Sequence, residues 1–81
     1  MLEELRNNNK LIIGTKQSLR AVKENTAQTV FVAKDAEKHV VRPIEEYAKE
    51  NEIQIVYAES MKKLGKACGI SIGAAAAVIL K

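Results

Sequence analysis

Short apolar runs alternate with amphipathic segments along the whole chain, and this order restricts its 81 residues to few folds. Leu11, Ile12 and Ile13 form one apolar run, and residues 29–33 and 53–57 form two more that contain β-branched and aromatic side chains. Residues 74–80 form a fourth. Runs of this composition predict strands, and their alternation with helical segments is typical of an α/β layer fold.

The first long amphipathic segment follows Gly14, where a predicted strand ends. Thr15 is expected to cap a helix over residues 16–24. Leu19 and Val22 fall on one face of this helix, whereas basic residues at positions i, i+4 and i+7 fall on another. One side of the helix is therefore predicted to pack and the other to be basic, through Lys16, Arg20 and Lys23.

Two further helices and a short N-terminal one, which ends in the three asparagines at residues 7–9, are predicted. Because proline is tolerated in the first turn of a helix but not in its middle, regular helix is expected to begin near residues 41–43, after a looser turn over residues 37–40. Ser60 is expected to cap the last helix and Gly69 to end it. The predicted inner faces are Val40, Val41, Ile44, Tyr47 and Ala48 in one helix, and Met61, Leu64 and Ala67 in the other.

The formal net charge of +3 conceals an uneven distribution of charge. Lys plus Arg number 13 and Asp plus Glu number 10. Residues 10–23 carry four basic side chains and no acid, and residues 60–81 carry four more and no acid, which leaves 5 basic and 10 acidic residues elsewhere. If folding brings the two segments together, they form one positive face of the kind found at a polyanion site. If it does not, they are two solvated helix faces.

No set of residues in the sequence supports catalysis or metal binding. Ser60 and Lys63 have the S-x-x-K spacing of penicillin-recognising enzymes, but the partner motifs are absent. A thiol enzyme using Cys68 with His39 stays open as a minor alternative, although a lone cysteine on an inner helix face is more often a small core residue. We therefore expect no enzyme, no cofactor and no metal site.

Length and cysteine content restrict the domain organisation and the compartment. A chain of 81 residues has no room for a second domain, so residues 1–81 are predicted to form a single domain. One cysteine allows no internal disulfide, and residues 1–10 show no signal-peptide pattern, so a cytoplasmic protein is expected. The longest uncharged run, residues 67–80, is too short to span a bilayer, so no membrane association is predicted.

The segment from Gly14 to Arg20 is the strongest candidate for binding. Backbone N–H groups at a helix start favour phosphate, and Lys and Arg can donate to guanine O6 and N7, while a Gln amide such as that of Gln17 can donate and accept at a base edge. The alternative is a solvated helix start. Because the chain has only three aromatic residues, binding of single strands by stacking is disfavoured, and a structured RNA is the expected ligand.

Three segments carry a family resemblance: residues 14–20, residues 33–36 (Ala-Lys-Asp-Ala), and residues 64–70 (Leu-Gly-Lys-Ala-Cys-Gly-Ile). They resemble the kink-turn-binding ribosomal proteins of the archaeal L7Ae and L30e type, with the greatest likeness to a short bacterial member, over essentially the whole chain. The resemblance implies a three-layer α/β/α sandwich with a small mixed sheet of about four strands. It also implies the ligand, a kink-turn, which is an RNA duplex bent sharply beside tandem sheared G·A pairs.

The resemblance also implies roles for ten residues. One group would face the G·A pairs and allow close backbone approach, a second would pack on the RNA beside an extruded nucleotide, and a third would help to form the pocket of that nucleotide. In that order, the first group is Gly14, Thr15, Lys16, Gln17 and Arg20, the second is Ile70, Ser71 and Ile72, and the third is Glu37 and Val41.

The expected function is that of a monomeric, non-enzymatic protein that recognises and stabilises kink-turns in ribosomal RNA or in a structured messenger leader, in the cytoplasm and in association with the ribosome. Archaeal members usually carry Asn-Glu in place of Lys16 and Gln17, so a steeper salt dependence of binding is expected here. The alternative is a protein–protein adaptor of the same fold that docks on the ribosome through Ile70 and Ile72.

Overall fold

A computed structural model describes residues 2–81, with side-chain burial from Leu5 onward. Met1, which the predicted domain includes, lies outside the described residues. The elements in chain order are a 3₁₀ turn Leu2–Asn7, β1 Leu11–Ile13, α1 Thr15–Lys23, β2 Ala27–Ala33, α2 Lys38–Glu50, β3 Gln54–Ala58, α3 Met61–Ala67 and β4 Ala76–Leu80.

The four strands form one mixed sheet in the order β1-β4-β2-β3. β2 and β3 are parallel and are joined through α2, whereas β4 runs antiparallel to both β1 and β2. α1 and α2 pack against each other on one face, and α3 packs with the N-terminal 3₁₀ turn on the other. The prediction of a three-layer α/β/α sandwich with about four strands is confirmed.

The core lies on both faces of the two central strands. In β2, Val30, Phe31 and Val32 are all buried, since helices cover the sheet on each side. This double coverage explains why the strand appears in the sequence as an unbroken apolar run. β1 is only half-buried, because it lies at the edge of the sheet.

Two helices begin earlier than predicted. Gly14, and not Thr15, is the N-cap of α1, and the Gly14 carbonyl accepts a hydrogen bond of 3.0 Å from the Ser18 N–H. α2 is regular from Lys38, so Pro43 lies in its second turn. Proline has no N–H, so the His39 carbonyl one turn earlier lacks its helical donor. Because His39 is exposed, water can donate to this carbonyl instead.

Several strand bounds and two predicted core positions also differ. β2 begins at Ala27, two residues early, and β3 is shifted by one residue. β4 begins at Ala76 because the preceding segment is bonded to α3, where the Ala74 N–H donates to the Met61 carbonyl at 3.0 Å. Tyr47 and Met61 are exposed, and their assignment to the core was wrong.

The predicted cap of α3 is confirmed. Ser60 Oγ accepts a hydrogen bond of 3.1 Å from the Lys63 N–H, which satisfies one of the free donors of the first turn. We expect Ser60→Ala to lower the free energy of unfolding by about 1 kcal/mol, as measured by urea denaturation. Ser71→Ala, at an exposed loop position, is the control, and equal stability of the two variants would contradict the assignment.

Candidate nucleic-acid interface

The carboxyl ends of β1, β2 and β3 and the amino end of β4 meet at one end of the sheet, which we call the loop end. The register shows this directly, because Ile13 is paired with Ala77, Val32 with Ala76, and Ala33 with Ala58. The loop end therefore carries the starts of α1, α2 and α3 and the segment that leads into β4. All ten predicted site residues lie in these segments or within two helical turns of them.

Backbone hydrogen bonds hold the loop-end segments together. The Gly14 N–H donates to the Ala76 carbonyl at 3.0 Å, which fixes the start of α1 against β4. The Met61 N–H donates to Asp35 Oδ1 at 2.8 Å, so the turn after β2 caps α3. The sequence analysis missed this contact, since nothing in the local pattern relates Asp35 to a residue 26 positions away.

The start of α1 presents polar side chains around a glycine. Gly14 has φ 120°, and a Cβ built on it would lie 2.6 Å from Gln17 Oε1, so the Gln17 amide folds back over a position that only glycine fits. The N-cap residue, Gly14, has no side chain with which to cap this helix, so N–H groups of its first turn are available to an anion. Lys16, Gln17 and Arg20 are exposed, as the prediction requires.

The three cations of α1 are not equivalent. Arg20 Nε donates to Glu24 Oε2 at 3.2 Å in an exposed ion pair, and the Lys23 ammonium lies 5.5 Å from the centre of the Tyr47 ring on α2. Lys16 has no ion pair among the side chains of residues 5–81. The i, i+4 spacing of Arg20 and Glu24 could have revealed their pairing from the sequence.

The two basic segments meet, but their charges are divided between the ends of the sheet. β1 pairs with β4, which brings residues 10–13 beside residues 77–80. However, Lys10 Nζ donates to the Lys81 carbonyl at 3.2 Å at the end opposite the loop end. The positive face at the loop end is thus narrower than the sequence count suggests.

The segment from Ile70 to Gly73 lies directly on α3. A Cβ on Gly65 would fall 2.0 Å from the Ile72 carbonyl oxygen, so the backbone of the loop touches the helix where a side chain is missing. The N–H groups of Gly69 and Ile70 close the end of α3 through bonds of 3.0 Å to the Lys66 and Gly65 carbonyls. Ile70 is half-buried, Ser71 is exposed, and the Ile72 side chain is 72% exposed.

Glu37 and Val41, the predicted nucleotide-pocket residues, lie at the start of α2. Glu37 is exposed, and its carboxylate is 3.3 Å from His39 Nδ1. Val41 is buried and forms part of the wall of an open groove of about 350 Å³ between α2 and β3. The sequence analysis missed the basic residues of this groove, because they belong to the part of the chain with net negative charge; they are Lys34, Lys38 and Arg42.

Cys68 shows no feature of a catalytic thiol. Its side chain is buried, and burial raises the pKa of the thiol, so the unreactive protonated form prevails at neutral pH. His39 is exposed beside Glu37. Among the side chains of residues 5–81, no three His, Cys, Asp or Glu are grouped to hold a metal ion. In the same part of the chain, no helix has the length and apolar character to cross a membrane.

A thiol-labelling experiment checks this description of Cys68. We expect iodoacetamide to modify the native protein far more slowly than the urea-unfolded chain at pH 8. Because the pKa of Cys68 is raised in the folded state, the labelling rate of the native protein should go on rising with pH beyond the ordinary thiol value of about 8.5, where the rate of the unfolded chain levels off. Cys68→Ala should leave RNA binding unchanged, and fast labelling of the native protein would contradict the assignment.

Known proteins share this fold and much of this sequence. The Giardia lamblia 15.5kD RNA binding protein superimposes with a TM-score of 0.88 over 99% of this chain and 68% of that one, at 23% identity, which shows the fold alone. RNA-binding protein BH0128 of Halalkalibacterium halodurans is 51% identical over 71 residues, covering 88% of this chain and 87% of that protein.

A second bacterial relative confirms the predicted likeness to a short bacterial member. RNA-binding protein YbxF of Geobacillus stearothermophilus is 47% identical over 72 residues, covering 89% of this chain and 88% of that protein. One protein-family model matches the sequence over all of residues 1–81. The chain belongs to the ribosomal protein L7Ae/L30e/S12e/Gadd45 family.

Proposed function

We propose that this protein binds RNA at its loop end and that it recognises and stabilises kink-turns. The observation that carries the proposal is the convergence, at one end of the sheet, of the exposed Lys16, Gln17 and Arg20 with the loop that presents Ile70 and Ile72. Relatives at 47% and 51% identity are named RNA-binding proteins, which supports an RNA ligand for this chain.

The chemistry of the α1 start suits a groove that a bend has opened. The deep groove of an ordinary A-form duplex is too narrow for side chains to read, and a sharp bend widens it enough to admit a helix end. There, the N–H groups of the first turn and the Lys16 ammonium can bind phosphate, while Gln17 and Arg20 can reach base edges. Such a surface needs exposure rather than a deep cavity.

The loop supplies an apolar contact that phosphate binding does not need. Ile72 is 72% exposed, so its aliphatic side chain gains burial when a ligand covers it. An unstacked nucleotide beside the kink has an apolar base face that can cover Ile72. Ser71, next to it, can donate to or accept from the sugar–phosphate backbone.

The mechanism is a shift of the RNA's own equilibrium. A kinked and an extended form of the RNA are both populated, and a protein that binds only the kinked form stabilises the bend by its differential affinity. To convert an RNA that is 1% kinked into one that is 99% kinked, the kinked form must be bound roughly 10⁴-fold more tightly. No catalytic step is required.

The proposed cellular setting follows the family. We propose a kink-turn in ribosomal RNA or in a structured messenger leader as the target, and a cytoplasmic, ribosome-associated protein as the binder. The large apolar side chains that are exposed within residues 5–81 are dispersed over several elements, which supports a monomer; they are Tyr47, Tyr57, Met61 and Ile72.

A protein–protein adaptor is the second candidate, and the exposed side chain of Ile72 favours it. An adaptor of this fold would use Ile72 as an apolar anchor on a ribosomal protein, and its affinity for RNA would depend on charge alone. In that case Ile72→Ser would leave RNA binding unchanged, whereas under the main proposal it weakens RNA binding.

The test is a titration against two RNAs at fixed salt. One contains a kink-turn, and the other has its tandem G·A pairs replaced by Watson–Crick pairs but has the same length and charge. We expect the affinity for the kink-turn RNA to be higher by a factor of about ten or more. This factor is on the order of the free-energy cost of one wrongly read base pair. Equal affinity for both RNAs would overturn specific recognition.

The ion pair on α1 gives a further prediction. Glu24 competes with RNA for Arg20, since its carboxylate accepts from Arg20 Nε at 3.2 Å. We expect Glu24→Gln to tighten RNA binding about twofold to fivefold at low salt, the value of an exposed ion pair. Glu50→Gln, at the far end of α2, removes the same charge and is the control. An equal gain in both variants would mean that only net charge matters.

A further inference from the structure

The groove between α2 and β3 has the size of a site for one nucleotide. It has a volume of about 350 Å³, at the lower end of the range for small-ligand sites. Val32 and Val41 line it and are both buried, so its base is apolar and already packed against the core. The groove therefore exists in the folded chain without any rearrangement.

The lining of the groove is strongly positive. Lys34, Lys38 and Arg42 are exposed on its rim and come from the turn after β2 and from α2. None of the three forms an ion pair with any side chain of residues 5–81. Among the side chains of residues 5–81 that line the groove, Glu45 is the only acid, so three positive charges and one negative charge leave a net of +2.

The Tyr57 ring forms a flat wall of the groove, next to Glu45. Its hydroxyl donates a hydrogen bond to the Glu45 carboxylate, which holds the ring in place. The Tyr57 side chain is 45% exposed, and an exposed, fixed ring is a surface on which a base or a ribose can stack.

We infer that this groove binds one further nucleotide of the RNA held at the loop end, with its phosphate between Lys34, Lys38 and Arg42 and its base or ribose on Tyr57. The inference rests on the proposed function. It commits to RNA because the groove opens at the loop end, where Ala33 ends β2, Lys34 follows it and Lys38 begins α2. An acidic peptide would suit the cations but would make no use of the Tyr57 ring.

Matched pairs of variants test the phosphate contact. Lys38→Gln with Arg42→Gln removes two charges from the groove, and Lys10→Gln with Lys49→Gln removes two exposed charges at the opposite end of the molecule. Affinity for the kink-turn RNA is measured from 50 to 300 mM KCl. We expect the slope of log affinity against log salt to decrease in magnitude by about 1 to 2 in the groove variant only.

A second pair tests the ring. Tyr57→Leu should weaken binding about fivefold or more if a base stacks on it, whereas Tyr47→Leu, which removes the other exposed tyrosine ring, should not. Thermal unfolding of all five variants, the two double variants and the three tyrosine variants, identifies any loss that is due to instability. Tyr57→Phe, which keeps the ring, should retain most of the affinity.

The outcomes separate this inference from the proposed function. Unchanged affinity and slope in the groove variant, or equal changes in both double variants, would overturn the nucleotide site. The proposed function fails instead if the parent protein binds the kink-turn and its G·A-replaced counterpart equally. The variant comparison still holds in that case, because it is made on any RNA that the parent binds, and absence of all RNA binding would overturn both.

Discussion

Gly65→Ala is expected to lower the free energy of unfolding by about 3 kcal/mol, the upper part of the range for overpacking a close contact. The added Cβ would lie 2.0 Å from the Ile72 carbonyl oxygen and 3.0 Å from its carbonyl carbon. These are backbone atoms, which no rotamer change can move, so α3 and the loop must separate. Urea denaturation followed by circular dichroism measures the effect.

Gly73→Ala is the matched control, since a Cβ there would meet the Met61 Cβ at 3.2 Å. We expect the cost at Gly73 to be well below that at Gly65, because a contact of this length requires only a small adjustment. Gly65→Ala should also weaken RNA binding more than its loss of stability explains, since it displaces Ile72. A Gly65→Ala variant that is as stable as the parent would show that α3 and the loop can separate at no cost.

Lys16→Ala and Arg20→Ala are each expected to weaken kink-turn binding by about 1–3 kcal/mol, which corresponds to a loss of roughly fivefold to 150-fold. Both side chains are exposed, so the domain should stay folded. Lys49→Ala removes an exposed charge at the far end of α2 and is the control for net charge. Filter binding or fluorescence anisotropy at two salt concentrations measures the affinities.

The two variants should differ in their salt dependence. If Lys16 contacts phosphate, Lys16→Ala reduces the magnitude of the salt slope by about 1 and weakens binding to the kink-turn and the G·A-replaced RNA alike. If Arg20 reads a base edge, Arg20→Ala reduces the preference for the kink-turn instead. If both variants bind as tightly as the parent, the site is not at the α1 start.

The order of the elements was predictable because the local spacing of apolar residues distinguishes helices from strands. Leu11–Ile13 has the bounds that its apolar run predicts, and Ser60 caps α3 as expected. The three-layer arrangement came from the family resemblance. Local patterns do not determine the strand order β1-β4-β2-β3, since this depends on pairing between residues such as Ile13 and Ala77 that are far apart in the chain.

The side-chain environment was less predictable than the elements. Tyr47 has the spacing of a core residue on α2 but is exposed beside Lys23, because the stripe of α2 that faces the sheet is narrower than the apolar pattern. The groove next to α2 was missed for a different reason: Lys38, Arg42 and Tyr57 come together only when β3 is laid parallel to β2.

The position of β4 has a consequence for synthesis on the ribosome. β4 follows the other three strands in the chain but lies between β1 and β2, so the sheet is divided into separate pieces until residues 76–80 have left the exit tunnel. Until then the Gly14 N–H lacks the Ala76 carbonyl, and the start of α1 has no fixed position relative to the loop after α3. Because this sheet is completed only when β4 pairs, we expect a chain that lacks β4 not to bring the two parts of the proposed RNA site together.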